Sequence, residues 1–254
     1  MQMLANTTKP YLRSIQTFFP ALQDSRFKLD RFVRRACRSV HDPDWLAFCL
    51  LNISEGAIFD IGANRGQSIE SFRMVLPGRR IVAFEPNSHL AEMLEKQYRA
   101  FEDIEIKALA LSDSARTEVL YVPRYRNWVF DGLASVDRNE AMTWLNAKTL
   151  KGFDTRHLSC LQMNIKVRAL DEFSELSPAI IKMDTQGTEN EVLAGGLRMI
   201  GLIKPAILLE SATPDTVRLL KPFGYRPYAF IGDQLVPDEL DTKNVFFLLR
   251  THIA

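Results

Sequence analysis

The stretch Ala57-Ile58-Phe59-Asp60-Ile61-Gly62-Ala63-Asn64-Arg65-Gly66 constrains this chain more than any other. A short apolar run, an acid and two glycines spaced Gly-x-x-x-Gly are followed by Ile69, Phe72, Val75 and Leu76 at helical spacing. The run from Ala57 to Ile61 suits a strand buried on both faces, so the glycines fall in a strand-to-helix turn. Glycine there permits positive φ and brings bare backbone close to a ligand, while the next helix offers unpaired N–H groups. A second strand, Arg80 to Phe84, ends in Glu85-Pro86, 23 residues after Gly62. An acid at that strand tip is placed to accept both hydroxyls of a ribose.

The spacing also discriminates between nucleotides. A dinucleotide site uses G-x-G-x-x-G, but position 64 is Asn and Asp60 stands two residues before the first glycine. A carboxylate beside the turn repels a pyrophosphate and suits a ligand with an ammonium and a sulfonium, which describes S-adenosylmethionine. On this reading Asp60 faces the methionine amino group, Gly62, Ala63, Asn64 and Gly66 supply backbone contact, and Glu85 binds the ribose. The alternative for each acid is structural: Asp60 as a helix cap, Glu85 as a solvated strand end.

Composition is that of an ordinary globule, 46% hydrophobic and 25% charged, and 254 residues suffice for a substantial core. A net charge of +1 gives no bulk basic surface for nucleic acid. Arginines 34, 35 and 38 cluster among apolar residues and read as a solvated helix face. Three scattered cysteines, 37, 49 and 160, form neither a disulfide framework nor a zinc pattern. No apolar run reaches membrane-spanning length and no signal-peptide core is evident, so cytoplasmic residence is expected.

Residues 1–52 read as an N-terminal helical extension, with Leu29, Phe32, Val33, Cys37 and Val40 forming an amphipathic stripe and Trp45 and Phe48 continuing it. Residues 53–254 then alternate strand and helix. Ile104 to Leu111 reads as a third strand, paired antiparallel with Thr117 to Val122. Residues 123–160, rich in aromatics and arginines without a clean period, read as a substrate-side insertion. Strands return at Asn164 to Val167, Ala179 to Asp184, Ala206 to Glu210, Tyr225 to Ile231 and Val245 to Leu249, with Gly232-Asp233 as a turn.

In order along the chain, Phe59-Asp60-Ile61-Gly62-Ala63-Asn64-x-Gly66, Ala83-Phe84-Glu85-Pro86-Asn87, Ala110-Leu111-Ser112-Asp113, Leu170-Asp171-Glu172-Phe173, Lys182-Met183-Asp184-Thr185-Gln186-Gly187-x-Glu189-x-Glu191-Val192-Leu193-x-Gly195 and Leu209-Glu210 resemble the FkbM family of S-adenosylmethionine-dependent methyltransferases. Gln186 stands where that family commonly has Glu. The resemblance implies an α/β, Rossmann-like class I methyltransferase fold, with a seven-stranded, mostly parallel sheet, a reversed last strand and helices on both faces. It also implies methyl transfer to a hydroxyl of a sugar, glycoconjugate or other small natural product, with Pro86 and Asp113 joining the cofactor site.

Ligands of such sheets lie beyond the carboxyl ends of the strands, a rim that gathers Asp60, Glu85, Asp184 and Glu210. Asp184 is the first candidate for a base or acceptor orienter, with Glu210 as a second acid. Glu189 is either a third participant or a first-turn helix acid. No Asp/Asn-rich set completes a metal site. Of histidines 41, 89, 157 and 252, only His157 in the insertion is placed to reach an acceptor. Two other classes stay open: an NAD-type oxidoreductase, disfavoured by the missing glycine, and a catalytically silent binding module. A homo-oligomer is compatible with the sequence.

Overall fold

Buried parallel strands fed by helices dictate the main sheet. The computed structural model describes residues 10–19 and 22–253. Eight strands lie in the order β3 (Ile104–Lys107), β2 (Ile81–Phe84), β1 (Ala57–Ile61), β8 (Pro178–Met183), β9 (Ala206–Glu210), β12 (Asn244–Leu248), β10 (Arg226–Ile231) and β11 (Gln234–Pro237). The first five are mutually parallel; β12 runs antiparallel to β9, β10 to β12, and β11 to β10. Every residue of β1, β2, β8 and β12 is buried, which explains why their sequences are near-continuously apolar rather than alternating.

Alternation along these strands sorts the core into two layers. Phe59, Ile61, Val82, Phe84, Ile181 and Met183 pack on one face with Val192, Leu193, Met199 and Ile200 from helices Glu189–Ala194 and Leu197–Ile203. Ile58, Ile81, Ala83 and Ile180 pack on the other with Ile69, Phe72, Leu94 and Tyr98 from helices Gln67–Val75 and Ser88–Tyr98. Trp45 and Phe48, from the 3-10 helix Pro43–Leu50, join this second layer.

The sheet is α/β and Rossmann-like as expected, with the last strand reversed, but it has eight strands instead of seven. The extra one is β11, returned by Gly232-Asp233, whose φ values of +56° and +62° make the two-residue turn that suits right-twisted hairpins. The expected strand Ile104 to Leu111 divides. Its first half is β3, and Ala110–Ser112 (β4) leaves for a second sheet ordered β4-β7-β5-β6, with β5 Arg116–Tyr125, β6 Trp128–Val129 and β7 Leu158–Ala169. There β4 pairs parallel with β7, so the expected antiparallel pairing with Thr117 to Val122 is not made. Strand β7 is also far longer than Asn164 to Val167.

The chain divides into two compact units. One holds residues 34–117 and 165–254, including the eight-stranded sheet; the other holds residues 1–33 and 118–164, and has its own small core of Tyr125, Leu145 and Leu150. Among the described residues no helix is long and apolar enough to cross a membrane.

Candidate active site

The turn after β1 is built by contacts that leave it no freedom. Gly62 has φ +77°, and a Cβ there would sit 1.9 Å from the Asp184 carbonyl oxygen, so backbone approaches backbone at the tips of adjacent strands. Asn64 holds φ +48°, a conformation asparagine tolerates better than most residues. The N–H groups of Gly62 and Ala63 donate to the Phe84 carbonyl, Asn64 N–H to Glu85 Oε2 at 2.7 Å, and Gly66 N–H to the Ala63 carbonyl. Four of the five N–H groups from 62 to 66 are therefore consumed inside the fold, and the turn is no cradle for a phosphate.

Glu85 is buried at 5% exposure, its second oxygen accepting from Asn87 N–H at 2.9 Å. Pro86 follows it half-buried, and Asn87 caps the next helix through its side chain.

Asp60 is wholly buried and faces inward. Its direct neighbour across the β1–β8 ladder is Lys182, whose ammonium lies 3.1 Å from Oδ1, an ion pair off the line of a hydrogen bond. Oδ2 accepts from Ser68 Oγ at 2.5 Å. Lys182 also donates to the Gly62 and Ile61 carbonyls at 2.9 and 3.3 Å. Burial works against the ammonium, yet the Asp60 and Asp184 carboxylates raise its pKa above the usual lysine value. The expected contact between Asp60 and a ligand's amino group thus meets a physical obstacle: Lys182 already neutralises this carboxylate and ties it to the turn.

A cavity of about 250 Å³ opens at the strand tips. Its walls include Gly62, Ala63 and Asn64 from the turn, Met183 and Asp184 at the end of β8, Leu208 and Glu210 from β9, Lys243 and Asn244 at the start of β12, and His41 and Trp45. The antiparallel register that pairs Asn244 with Glu210 brings the beginning of β12 to this rim. Burial together with the neighbouring Asp184 charge raises the pKa of Glu210. Gln186 donates to Asp184 at 2.9 Å, and Lys243 lies 3.6 Å from Glu210. Asn244 is held by Asp42 and Asp44 at 3.0 and 2.9 Å.

His41 has its Nδ1 2.8 Å from Ser71 Oγ and its ring edge-on to Trp45, centroids 4.3 Å apart. Burial, with Lys182 nearby, pushes its pKa down to about 4, leaving a neutral imidazole at pH 7.

Of the residues expected from sequence, Gly62, Ala63, Asn64, Asp184 and Glu210 line this cavity, and Gly66 and Glu85 support its turn. Glu189 does not line it: its carboxylate accepts from Thr185 and Gly187 N–H at 2.8 and 3.1 Å and fastens the loop after Asp184. Asp113 is more than half exposed and bonded to Ser114 and Arg116. His157 belongs to the other unit, packed edge-on to Tyr125, while His41 takes the place at the cavity. Sequence reasoning missed His41, Trp45, Lys182, Lys243 and Asn244. Only Lys182 left a signal, since a cation within an otherwise apolar strand demands a buried partner. Among the described residues no group of three or more His, Cys, Asp or Glu is placed to hold a metal ion.

A family model described as a methyltransferase FkbM domain matches residues 60–227, more than half of the chain. The 2-O-methyltransferase NoeI of Sinorhizobium fredii (strain NBRC 101917 / NGR234) is 27% identical over 158 residues, covering 58% of this chain and 60% of that protein. The chain therefore spans less than two thirds of that relative's length. Among solved structures, methyltransferase FkbM from Methylobacillus flagellatus KT is similar at TM-score 0.46 and 17% identity, covering 76% of this chain and 43% of that one. Precorrin-6y C5,15-methyltransferase from Geobacter metallireducens GS-15 is similar at TM-score 0.38 and 15% identity, covering 80% and 83%.

Proposed function

This chain belongs to the FkbM methyltransferase family, and from that premise we propose that it transfers a methyl group from S-adenosylmethionine to a hydroxyl of a sugar, glycoconjugate or other small natural product. The observation that carries the reading is the turn from Gly62 to Gly66: with the N–H groups of Gly62, Ala63, Asn64 and Gly66 spent inside the fold, it suits a cofactor without phosphate better than a dinucleotide. The similarity to a 2-O-methyltransferase supports oxygen as the acceptor atom.

The residues fit that cofactor. Glu85, at the tip of β2 and bonded to the turn through Asn64 N–H, would take the ribose, and Asp184 and Glu210 set carboxylates in the cavity beside Lys182 and Lys243. When bound, S-adenosylmethionine supplies an electrophilic methyl on a sulfonium. Asp184, at the tip of β8 beside the turn, orients the acceptor hydroxyl and takes its proton as the carbon–oxygen bond forms. Glu210 lines the cavity as a second acid, and Gln186 steadies Asp184 by donating to its carboxylate. Asp60 contributes indirectly, by holding Lys182 and hence the carbonyls of Ile61 and Gly62. Glu189 keeps the loop after Asp184 in shape.

Calorimetry with S-adenosylhomocysteine, S-adenosylmethionine and NAD tests the reading, followed by methyl transfer to a panel of free and glycosylated sugars. Micromolar binding of both sulfur compounds is expected, with none of NAD. Glu85→Ala should cost at least about tenfold in affinity, because charge-assisted hydrogen bonds contribute roughly 1.5–3 kcal/mol each. Binding of NAD without S-adenosylhomocysteine would overturn the assignment.

A further inference from the structure

The helix Leu22–Cys37 presents its faces the wrong way round for an ordinary surface helix. Leu29, Phe32, Val33, Ala36 and Cys37 recur at the spacing of one helical stripe, and all five are exposed, Phe32 at 69% and Leu29 at 63%. Its charged side is the one held: Arg35 makes a bidentate pair with the buried Glu70 at 2.7 and 2.5 Å, and Arg34 donates to the Val40 carbonyl at 2.9 Å. The basic cluster expected to be a solvated face is thus partly an anchor, while the apolar stripe meets water. The preceding segment adds Tyr11, Leu12, Ile15, Phe18 and Phe19, each more than half exposed.

Charge decides what this face fits. From Leu22 to Val40 the chain carries Arg26, Lys28, Arg31, Arg34, Arg35 and Arg38 against Asp24 and Asp30 only. The whole chain is only +1, so everything outside this stretch is net negative. With Arg35 spent on Glu70, the five remaining basic residues still outnumber the two acids, so a second copy docking on the same face would bring two positive helices together. An anionic lipid surface instead receives the aliphatic and aromatic stripe among its acyl chains and attracts the basic flanks, and it repels the rest of the molecule.

We propose that helix Leu22–Cys37, with the exposed apolar residues before it, docks the protein in the plane of an anionic membrane surface. The arrangement places the protein on the membrane without crossing it. It is independent of the methyl-transfer reading.

The test is co-sedimentation of the full chain with vesicles of phosphatidylcholine alone and of phosphatidylcholine with one third phosphatidylglycerol. Binding to the anionic vesicles is expected, weakening as salt is added. Leu29→Glu with Phe32→Glu, at exposed positions that leave the melting temperature unchanged, should lower the bound fraction at least tenfold; Arg26→Glu with Lys28→Glu should lower it on anionic vesicles in the same direction. Failure to sediment with anionic vesicles, or equal binding to neutral ones, overturns the proposal. So does a dimer in analytical ultracentrifugation that Phe32→Glu dissociates, since the face would then belong to a second copy.

Discussion

Removing the Lys182 ammonium tests how the strand tips are held together. In Lys182→Met the side chain keeps much of its length, but Asp60, at 0% exposure, loses the ammonium beside it and keeps the Ser68 hydroxyl. The carbonyls of Ile61 and Gly62 lose their lysine donor as well. Breaking a buried pair by deleting one partner costs about 3–5 kcal/mol, most of it the uncompensated charge left behind. For a chain of this size each kcal/mol shifts the melting temperature by roughly 2–4 °C, so a fall of about 6–20 °C is expected. Asp60→Asn in the same background removes the stranded charge and can still bond Ser68. The double variant should therefore recover at least about 2 kcal/mol of the loss, a coupling measured by urea unfolding of wild type, both single variants and the double. A Lys182→Met protein within 1 kcal/mol of wild type, or single losses that simply add, would refute the argument that this pair is buried and mutually dependent.

Acid should destabilise the protein through His41. Its folded pKa of about 4 lies below the ordinary 6.5, so its contribution is fully present above pH 6.5 and is lost as pH falls towards 4; 2.5 units correspond to about 3 kcal/mol, and melting curves of His41→Gln should be flatter across that window. Asp184→Asn should slow methyl transfer by about 10² to 10⁴ while S-adenosylhomocysteine affinity stays within a few-fold, measured with an acceptor from the sugar panel; full activity would remove Asp184 from its assigned role.

How much of this could be read from sequence depended on the range of the interactions involved. The strands β1, β2, β8 and β9 and the Gly232-Asp233 turn were legible because burial on both faces and a two-residue turn each leave a local mark. The break inside Ile104 to Leu111 was not: both halves are suited to strands, and only pairing with β2 in one case and β7 in the other separates them. The apolar stripe of Leu29, Phe32 and Val33 is legible as amphipathic, but its exposure is not, since periodicity identifies a face without saying where it points. Asp60 was seen as a chemically charged position, but the partner that claims it lies 122 residues away. The same distance problem hid His41 and Trp45, which reach the cavity from outside every motif.

The contacts of the segment from Asp42 to Asn52 bear on how the protein is made. Asp42 and Asp44 hold Asn244, Asn52 N–H donates to the His252 carbonyl, and Leu51 bridges to Ile253. One wall of the cavity is therefore fastened by chain synthesised about 200 residues later. At typical ribosomal speeds roughly 10–40 s separate the emergence of Phe48 from that of its packing partner Phe246. During that interval Trp45 and Phe48 lack part of their final cover, and the cavity that Trp45 helps to line is incomplete. Assembly of this wall of the cavity is therefore a late event, governed by the closure of a very long loop.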